Sequence, residues 1–416
     1  MKLQDSKLPK SINFLLGAQF ISAIADNALL IVAIALLEES SHEAWWVPIL
    51  KGLSIFSFVI FAPWVGVMAH QWPKRNVMLV ANGIKAGACL GLLLGTHPFI
   101  SFTLLGFGAA LYSPAKYGLL NELEPEHRLV KVNAWIEVST VVAAVAGVVL
   151  GGWCISERVQ NSEISTYLMR SMEVNTQLLA AFFMLLCLYS LAGLLNLKIP
   201  CSGVIYFREK EKTNGFSRFI QSNKTLWFDP EGRLSLSVTT LFWGVGATMQ
   251  LMTLAWAQAH LNLSLEWSSY IQGVSALGAV LGAWLASRYL QLHHAKHLLW
   301  IGLLLGAMLP MMNLIYSLPM AMLLMILAGL LSGLFVVPMN ALLQSRGRIL
   351  LSTGESIAVQ NFNENFCVLS MLGIYSFLLA IEIPIQTLIN LLGMVIAFFM
   401  LKLLHQHRNN FQKTEN

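Results

Sequence analysis

The chain has 416 residues, of which 56% are hydrophobic and only 11% charged, with a mean hydropathy of +0.65. A water-soluble chain carries about 25% charged residues, so this composition excludes an ordinary soluble globular protein. The net charge of +5 is an asymmetry between loops, described below, and no signal for nucleic acid.

Spans of about 20 apolar residues cross ~30 Å of hydrocarbon. Twelve occur, near 11–37, 47–69, 76–96, 99–119, 131–153, 176–198, 234–259, 268–290, 297–317, 319–343, 356–380 and 384–404. The fold class expected is an all-α integral membrane protein, twelve transmembrane helices in two six-helix halves. Pro310 and Pro319 interrupt the ninth and tenth. The first run follows a basic N-terminus but is long, contains Asp26 and lacks a small-residue cleavage site, so it reads as a retained span.

With an even number of spans, both termini share a side. The loops of that side, with the termini, hold 21 of the 26 Lys and Arg residues. Positive charge collects in the cytoplasm, so both termini are expected there. The opposite side holds Arg158 and Arg170, and Lys51, Lys85 and Lys116 lie within or at the edge of spans. Cys89, Cys187 and Cys367 are intramembrane, Cys201 cytoplasmic and Cys154 at the outer border, so no disulfide framework is expected.

The expected domains are a bundle over 1–198, a cytoplasmic linker over 199–233, a second bundle over 234–404 and a tail over 405–416. The linker is basic and broken by Pro200, Asn214-Gly215 and Pro230. Within it FSRFIQSNKTLWF is amphipathic; it suits the inner membrane surface, and a solvated linker is the alternative. A faint repeat joins the halves. Pro114 in SPAKYGLL and Pro338 in VPMNALLQ are 224 residues apart, and Glu137 and Asn361 each follow 23 residues later. Transporters are commonly built from such halves, with the site at their interface. Glycines at four-residue spacing (Gly87-Gly91-Gly95, Gly278-Gly282, Gly302-Gly306, Gly329-Gly333) read as helix-packing surfaces.

HExxH, GxSxG, P-loop and CxxC motifs are missing, so neither an enzyme nor an ATP-driven pump is expected, and no cofactor. His293, His294 and His297 form a basic membrane-edge cluster rather than a metal site, and no metal is expected. The informative residues are polar ones at lipid depth, which are costly and tend to face a water-filled path or one another. They are Asp26 and Asn27 in span one, Lys85 in span three, Lys116 and Tyr117 in span four and Glu137 in span five. Gln250 lies in span seven, and Gln360, Asn361, Asn363, Glu364 and Asn365 crowd span eleven. Asp26 and Lys116 either form a fixed ion pair between two helices or line a central cavity. Lys85 and Glu137 are expected nearer the inner ends, as gate or packing contacts. The span-eleven group covers more than one helical face, so some of it faces a cavity or other helices.

The loop GVMAHQWPKRNV resembles the cytoplasmic signature of the major facilitator superfamily. Gly66 and Arg75 fit it, while His70 stands where an aspartate is usual and weakens the gate-locking charge pair. The segments AQFISAIADNALL, IFSFVIFAPWVGVMA, LYSPAKYGLLNEL, LVKVNAWIEVST, LFWGVGATMQ, FVVPMNALLQSRG and IAVQNFNEN together resemble the bacterial lysophospholipid transporters of that superfamily. The resemblance runs through essentially all twelve spans. It implies inward flipping of lysophospholipids, chiefly lysophosphatidylethanolamine, across the inner membrane, and re-acylation by a cytoplasmic acyltransferase. The polar intramembrane residues supply the expected substrate contacts, Asp26, Asn27, Lys116, Tyr117, Gln250, Gln360, Asn361 and Glu364, with Asp26 on the ammonium and Lys116 on the phosphate. Two departures stand out: Gln250 occupies a position where a basic residue is expected, and the outer loop at 154–175 is enlarged. A proton-coupled exporter of amphipathic drugs, with Asp26 or Glu364 as proton carrier, is the alternative. A membrane scaffold for a lipid enzyme is a third.

Overall fold

The computed structural model describes residues 10–40, 42–123, 126–163, 178–200, 215–290, 295, 298–351 and 353–415. The side chains of a few helical residues, Gly66, His70 and Glu137 among them, lie outside the description, as do residues 201–214 of the linker, Cys201, His293, His294 and His297.

The described secondary structure is helical. Six long helices form the first half: α1 (Lys10–Glu39), α2 (Trp46–Gln71), α3 (Lys74–Leu93), α4 (Pro98–Leu123), α5 (Glu126–Cys154) and, after a one-turn α6 (Glu157–Gln160), α7 (Leu179–Leu197). The second half opens with α8 (Gly215–Phe228), followed by α9 (Pro230–Leu261), α10 (Leu265–Tyr289) and α11 (Leu299–Met308). Then come α12 (Leu318–Leu350), α13 (Thr353–Ala380) and α14 (Ile385–Glu415). Among the described residues nine helices are long and apolar enough to cross a membrane, and shorter apolar stretches lie at Trp46–Phe61, Val138–Cys154 and Leu299–Leu314. Together they fall one to one on the twelve expected spans. The ninth is short in α form because Pro310, which has no N–H, opens a 3-10 segment, Leu309–Leu314. Pro319 sits in the first turn of α12, where a missing N–H costs nothing.

The chain divides into two compact units, residues 1–210 and 211–416. In the first, α1 packs on α5 and α7, α2 on α4, and α3 on α4 and α7. The second repeats these pairings: α9 on α13 and α14, α10 on α12, and α11 on α12 and α14. The faint sequence repeat thus corresponds to a repeated packing scheme, and Pro114 and Pro338 lie inside the corresponding helices α4 and α12.

The core of the first unit gathers Ile12, Leu15, Met78, Leu111, Leu119 and Ile136 from four helices. Outward faces are equally apolar; Leu94, Ile374 and Phe398 are among the exposed side chains. In water such a surface would aggregate; against lipid tails it costs nothing. Helix association in lipid therefore rests on close packing and on polar contacts. In the second unit a Cβ built on Gly278 or Gly282 would collide with the backbone of Ile326 or Leu330, and one on Gly329 or Gly333 with that of Ser275 or Ala279. Two glycine pairs on α10 and α12 thus face one another's backbones. Gly306 packs on the backbone of Gly393 and Ala397 of α14 in the same way, whereas Gly302 meets the Met400 side chain. The glycines of α3 differ: Gly87 has nothing within 4 Å, and Gly95 ends the helix at a φ of 82°, the left-handed cap position that favours glycine. Four-residue spacing cannot by itself separate a packing stripe from a cap.

Candidate functional site

Ser22 and Asp26, four residues apart, lie on one face of α1, and Asn82 and Lys85, three apart, on one face of α3. Their side chains meet inside the first unit. Lys85 Nζ donates to Asp26 Oδ2 at 2.5 Å and to Ser22 Oγ at 3.1 Å. Ser22 donates to Asn82 Oδ1 at 2.8 Å. From α7, the Tyr189 hydroxyl donates to Asp26 Oδ1 at 2.9 Å. The Tyr112 ring of α4 lies 5.3 Å from the ammonium, within reach of a cation–π attraction. Four helices thus converge on one carboxylate and one ammonium, each hydrogen-bonded on more than one side. Lys85 is 3% exposed and Asp26 26%, so the carboxylate is the member of the pair open to a ligand.

Lys85, expected among gate or packing contacts, is therefore part of the Asp26 cluster. Lys116 lies on α4 one turn past Tyr112; it is buried, with its ammonium 4.5 Å from the Tyr117 ring. Asp26 pairs with Lys85 on α3 rather than with the Lys116 expected of a fixed pair. Apolar spacing along a helix says where a charge sits in depth, not which neighbour it meets. Ser22, Asn82 and Tyr189 escaped notice because single Ser, Asn and Tyr residues are ordinary in apolar helices.

Asp26 and Asn27 also line a cavity of about 150 Å³ between α1, α2 and α4. Its other polar residues are Lys51 and Ser54 of α2; its walls include Phe58, Phe102 and Leu105. Gly106 completes it. A Cβ there would fall on the Ser54 backbone, so only glycine lets α4 approach α2 at this level. Asn27 donates to the Ala23 carbonyl at 2.9 Å.

In the second unit, Gln360 donates to Glu364 Oε1 at 2.7 Å and to Asn340 Oδ1 at 3.2 Å, joining α13 to α12. Glu364 is buried, Gln250 of α9 half-buried and Asn361 exposed. Asn363 turns to α8, donating to Asn223 at 3.1 Å and accepting from the Trp227 indole at 3.2 Å. The polar run of span eleven is thus shared between helix contacts on two faces. Asn340 was visible in VPMNALLQ but carried no charge to draw attention.

Charge pairs also tie helix ends. Lys74 at the start of α3 pairs with Glu122 near the end of α4. Arg75 donates to the Ile199 carbonyl past α7 at 3.4 Å. Arg346 of α12 forks onto Asp229 at 2.5 and 3.0 Å, while Asp229 caps α9 by accepting from the Gly232 N–H at 2.7 Å. The Arg346 guanidinium holds the Asp229 carboxyl below its ordinary range. Gly66, His70 and Glu137 lie in α2 and α5, with side chains outside the description. Among the described residues no group of three or more His, Cys, Asp or Glu forms a metal site.

The pattern of the Major Facilitator Superfamily matches residues 15–349. The chain is 37% identical over 384 residues to the "Lysophospholipid transporter LplT" of Yersinia pestis (strain Pestoides F), covering 91% of this chain and 89% of that protein. The protein of the same name from Yersinia pseudotuberculosis serotype O:3 (strain YPIII) matches equally. Among solved structures, the nucleoside transporter NupG is similar with a TM-score of 0.67 at 12% identity, covering 97% of this chain and 99% of that one. A bacterial homolog of the human lysosomal transporter Spinster, inward-facing and unoccupied, gives 0.68 at 12%, covering 95% and 92%. At such identities the two structures speak for the fold alone. The chain belongs to the Major Facilitator Superfamily and, within it, to the family of the bacterial lysophospholipid transporters.

Proposed function

We propose that this chain carries lysophospholipids, chiefly lysophosphatidylethanolamine, from the outer to the inner leaflet of the bacterial cytoplasmic membrane by alternating access. Both termini face the cytoplasm, where a lysophospholipid acyltransferase consumes the delivered lipid. The observation that carries the reading is Asp26. This carboxylate is set mid-helix, paired with a buried lysine, and lines a cavity whose walls mix polar residues with apolar ones. A lysophospholipid has the matching chemistry: an ammonium, a phosphate and one acyl chain.

The substrate ammonium reaches the exposed side of the Asp26 carboxylate, which keeps Lys85, while the phosphate draws a further lysine, so no charge is left bare at lipid depth, where an unpaired ion is expensive. Lys116 with Tyr117 provides a cation for the phosphate further along α4. Within the second unit, Gln250, Gln360, Asn361 and Glu364 are the polar side chains proposed for substrate contact. Asn27 stands beside Asp26 at the cavity wall. Gly66, His70, Arg75, Lys85 and Glu137 serve gating and helix pairing, with Lys85 also holding Asp26.

The test is uptake of labelled lysophosphatidylethanolamine into spheroplasts with and without the protein, alongside a proton-gradient dissipator. Uptake that depends on the protein and survives dissipation supports downhill flipping. Uptake lost on dissipation keeps the substrate and makes Asp26 or Glu364 a proton site. Asp26→Asn and Lys116→Gln each abolish uptake; normal uptake in both variants would remove the proposed roles.

A further inference from the structure

The lysine in the cavity wall is Lys51, not Lys116. Lys51 sits five residues into α2, half-buried, on the same face as Ser54 three residues on. Across the cavity stand Asp26 and Asn27 of α1, and Phe58, Phe102 and Leu105 supply apolar wall. A lysine this close to a helix end often extends its ammonium to the membrane surface, which leaves nothing facing inward. Here Lys51 lines the same cavity as Asp26, a partly open one with room for a cluster of waters. The cavity exists because Gly106 admits α4 against the Ser54 backbone, so α2 and α4 are held together at the level where the lysine projects. Lys116 is ten residues beyond Gly106 on the same helix, roughly 15 Å along its axis at 1.5 Å per residue. The two lysines therefore stand at different depths.

We propose that Lys51 is the first contact for the substrate phosphate and a determinant of head-group specificity. With Asp26 and Ser54 it forms a subsite in the half of the first unit nearer the α1–α2 loop. This rests on the lysophospholipid reading and adds a station to it. With the termini cytoplasmic, the α1–α2 loop is on the outer side, and Lys51 is the cation met first by a lipid from the outer leaflet. The ammonium lies toward Asp26, the phosphate toward Lys51 and the acyl chain along the apolar wall; the Ser54 hydroxyl, which donates to the Lys51 carbonyl at 2.7 Å, holds the start of α2 in place. Movement inward then passes the phosphate from Lys51 to Lys116, so the anion meets a fixed cation at both ends of its path.

The experiment is equilibrium binding to the purified full-length protein in nanodiscs. The probes are lysophosphatidylethanolamine and a monoacylglycerol of the same chain length, the latter lacking phosphate. Lys51→Gln is expected to weaken lysophosphatidylethanolamine binding about 10- to 100-fold, the range for losing one charge-assisted hydrogen bond. It is expected to leave monoacylglycerol binding unchanged. Lys51→Arg, which keeps the cation, is expected to stay within about threefold of the unmodified protein. Unchanged lysophosphatidylethanolamine affinity in Lys51→Gln, or equal weakening of both lipids, overturns the assignment; the second outcome marks a structural lysine. If the unmodified protein binds neither lipid, the transport reading itself fails and the assignment falls with it.

Discussion

Replacing Lys85 by methionine tests how much the Asp26 cluster holds the first unit together. The substitution keeps the stem of the side chain and removes an ammonium that is 3% exposed and hydrogen-bonded to Asp26 and Ser22. Breaking a buried ion pair from one side costs about 3–5 kcal/mol, because the remaining charge stays uncompensated. Asp26 keeps the Tyr189 hydrogen bond and is 26% exposed, so water can offset part of the loss and the lower end, about 3 kcal/mol, applies. For a unit of 210 residues, at about 2–4 °C per kcal/mol, the midpoint of thermal unfolding should fall by about 6–12 °C. Asp26→Asn should cost more, toward about 5 kcal/mol, since it strands Lys85, which is only 3% exposed. The double variant removes both charges and should recover about 2 kcal/mol relative to the sum of the singles. Thermal melting of the four purified proteins in one detergent measures this cycle. If the double variant loses as much as the two singles added together, Asp26 and Lys85 do not stabilise the unit as a pair.

Two further outcomes follow from the second unit. Gly282→Leu or Gly333→Leu should prevent α10 and α12 from seating, giving little folded protein by size-exclusion chromatography, because their Cβ positions overlap the facing backbone. Gly246→Ala, with nothing within 4 Å, should elute like the unmodified chain, and a normal profile for the leucine variants would contradict the packing. The second outcome concerns acid. Arg346 lowers the Asp229 carboxyl below its ordinary 3.8, chiefly through side-chain hydrogen bonds. A carboxyl lowered by folding stabilises the protein fully above its unfolded value and loses that contribution as pH falls through the folded one. Melting temperature followed from pH 7 to 3 should therefore drop more steeply below about pH 4 in the unmodified protein than in Arg346→Met. Parallel curves would mean that the fork on Asp229 contributes nothing to stability.

The twelve spans were legible in the sequence because crossing hydrocarbon is a local demand: each segment must itself supply about 20 apolar residues and satisfy its own backbone. Depth was legible for the same reason, so Asp26, Lys85, Lys116 and Glu364 stood out as charges in apolar helices. Glycine pairs on spans eight and ten were readable as packing surfaces, since a missing side chain matters only where another backbone comes close. Partners were not readable. That Asp26 meets Lys85 and Tyr189, that Asn363 turns to Trp227 and Asn223, and that Asn340 joins Gln360 depend on which helix faces which. Those choices join residues up to 163 positions apart, and no spacing within one helix encodes them. Lys51 shows the same division most clearly. In the sequence it is a lysine at the edge of a span; only the approach of α4 to α2 at Gly106 and Ser54 gives it a cavity and a carboxylate across from it.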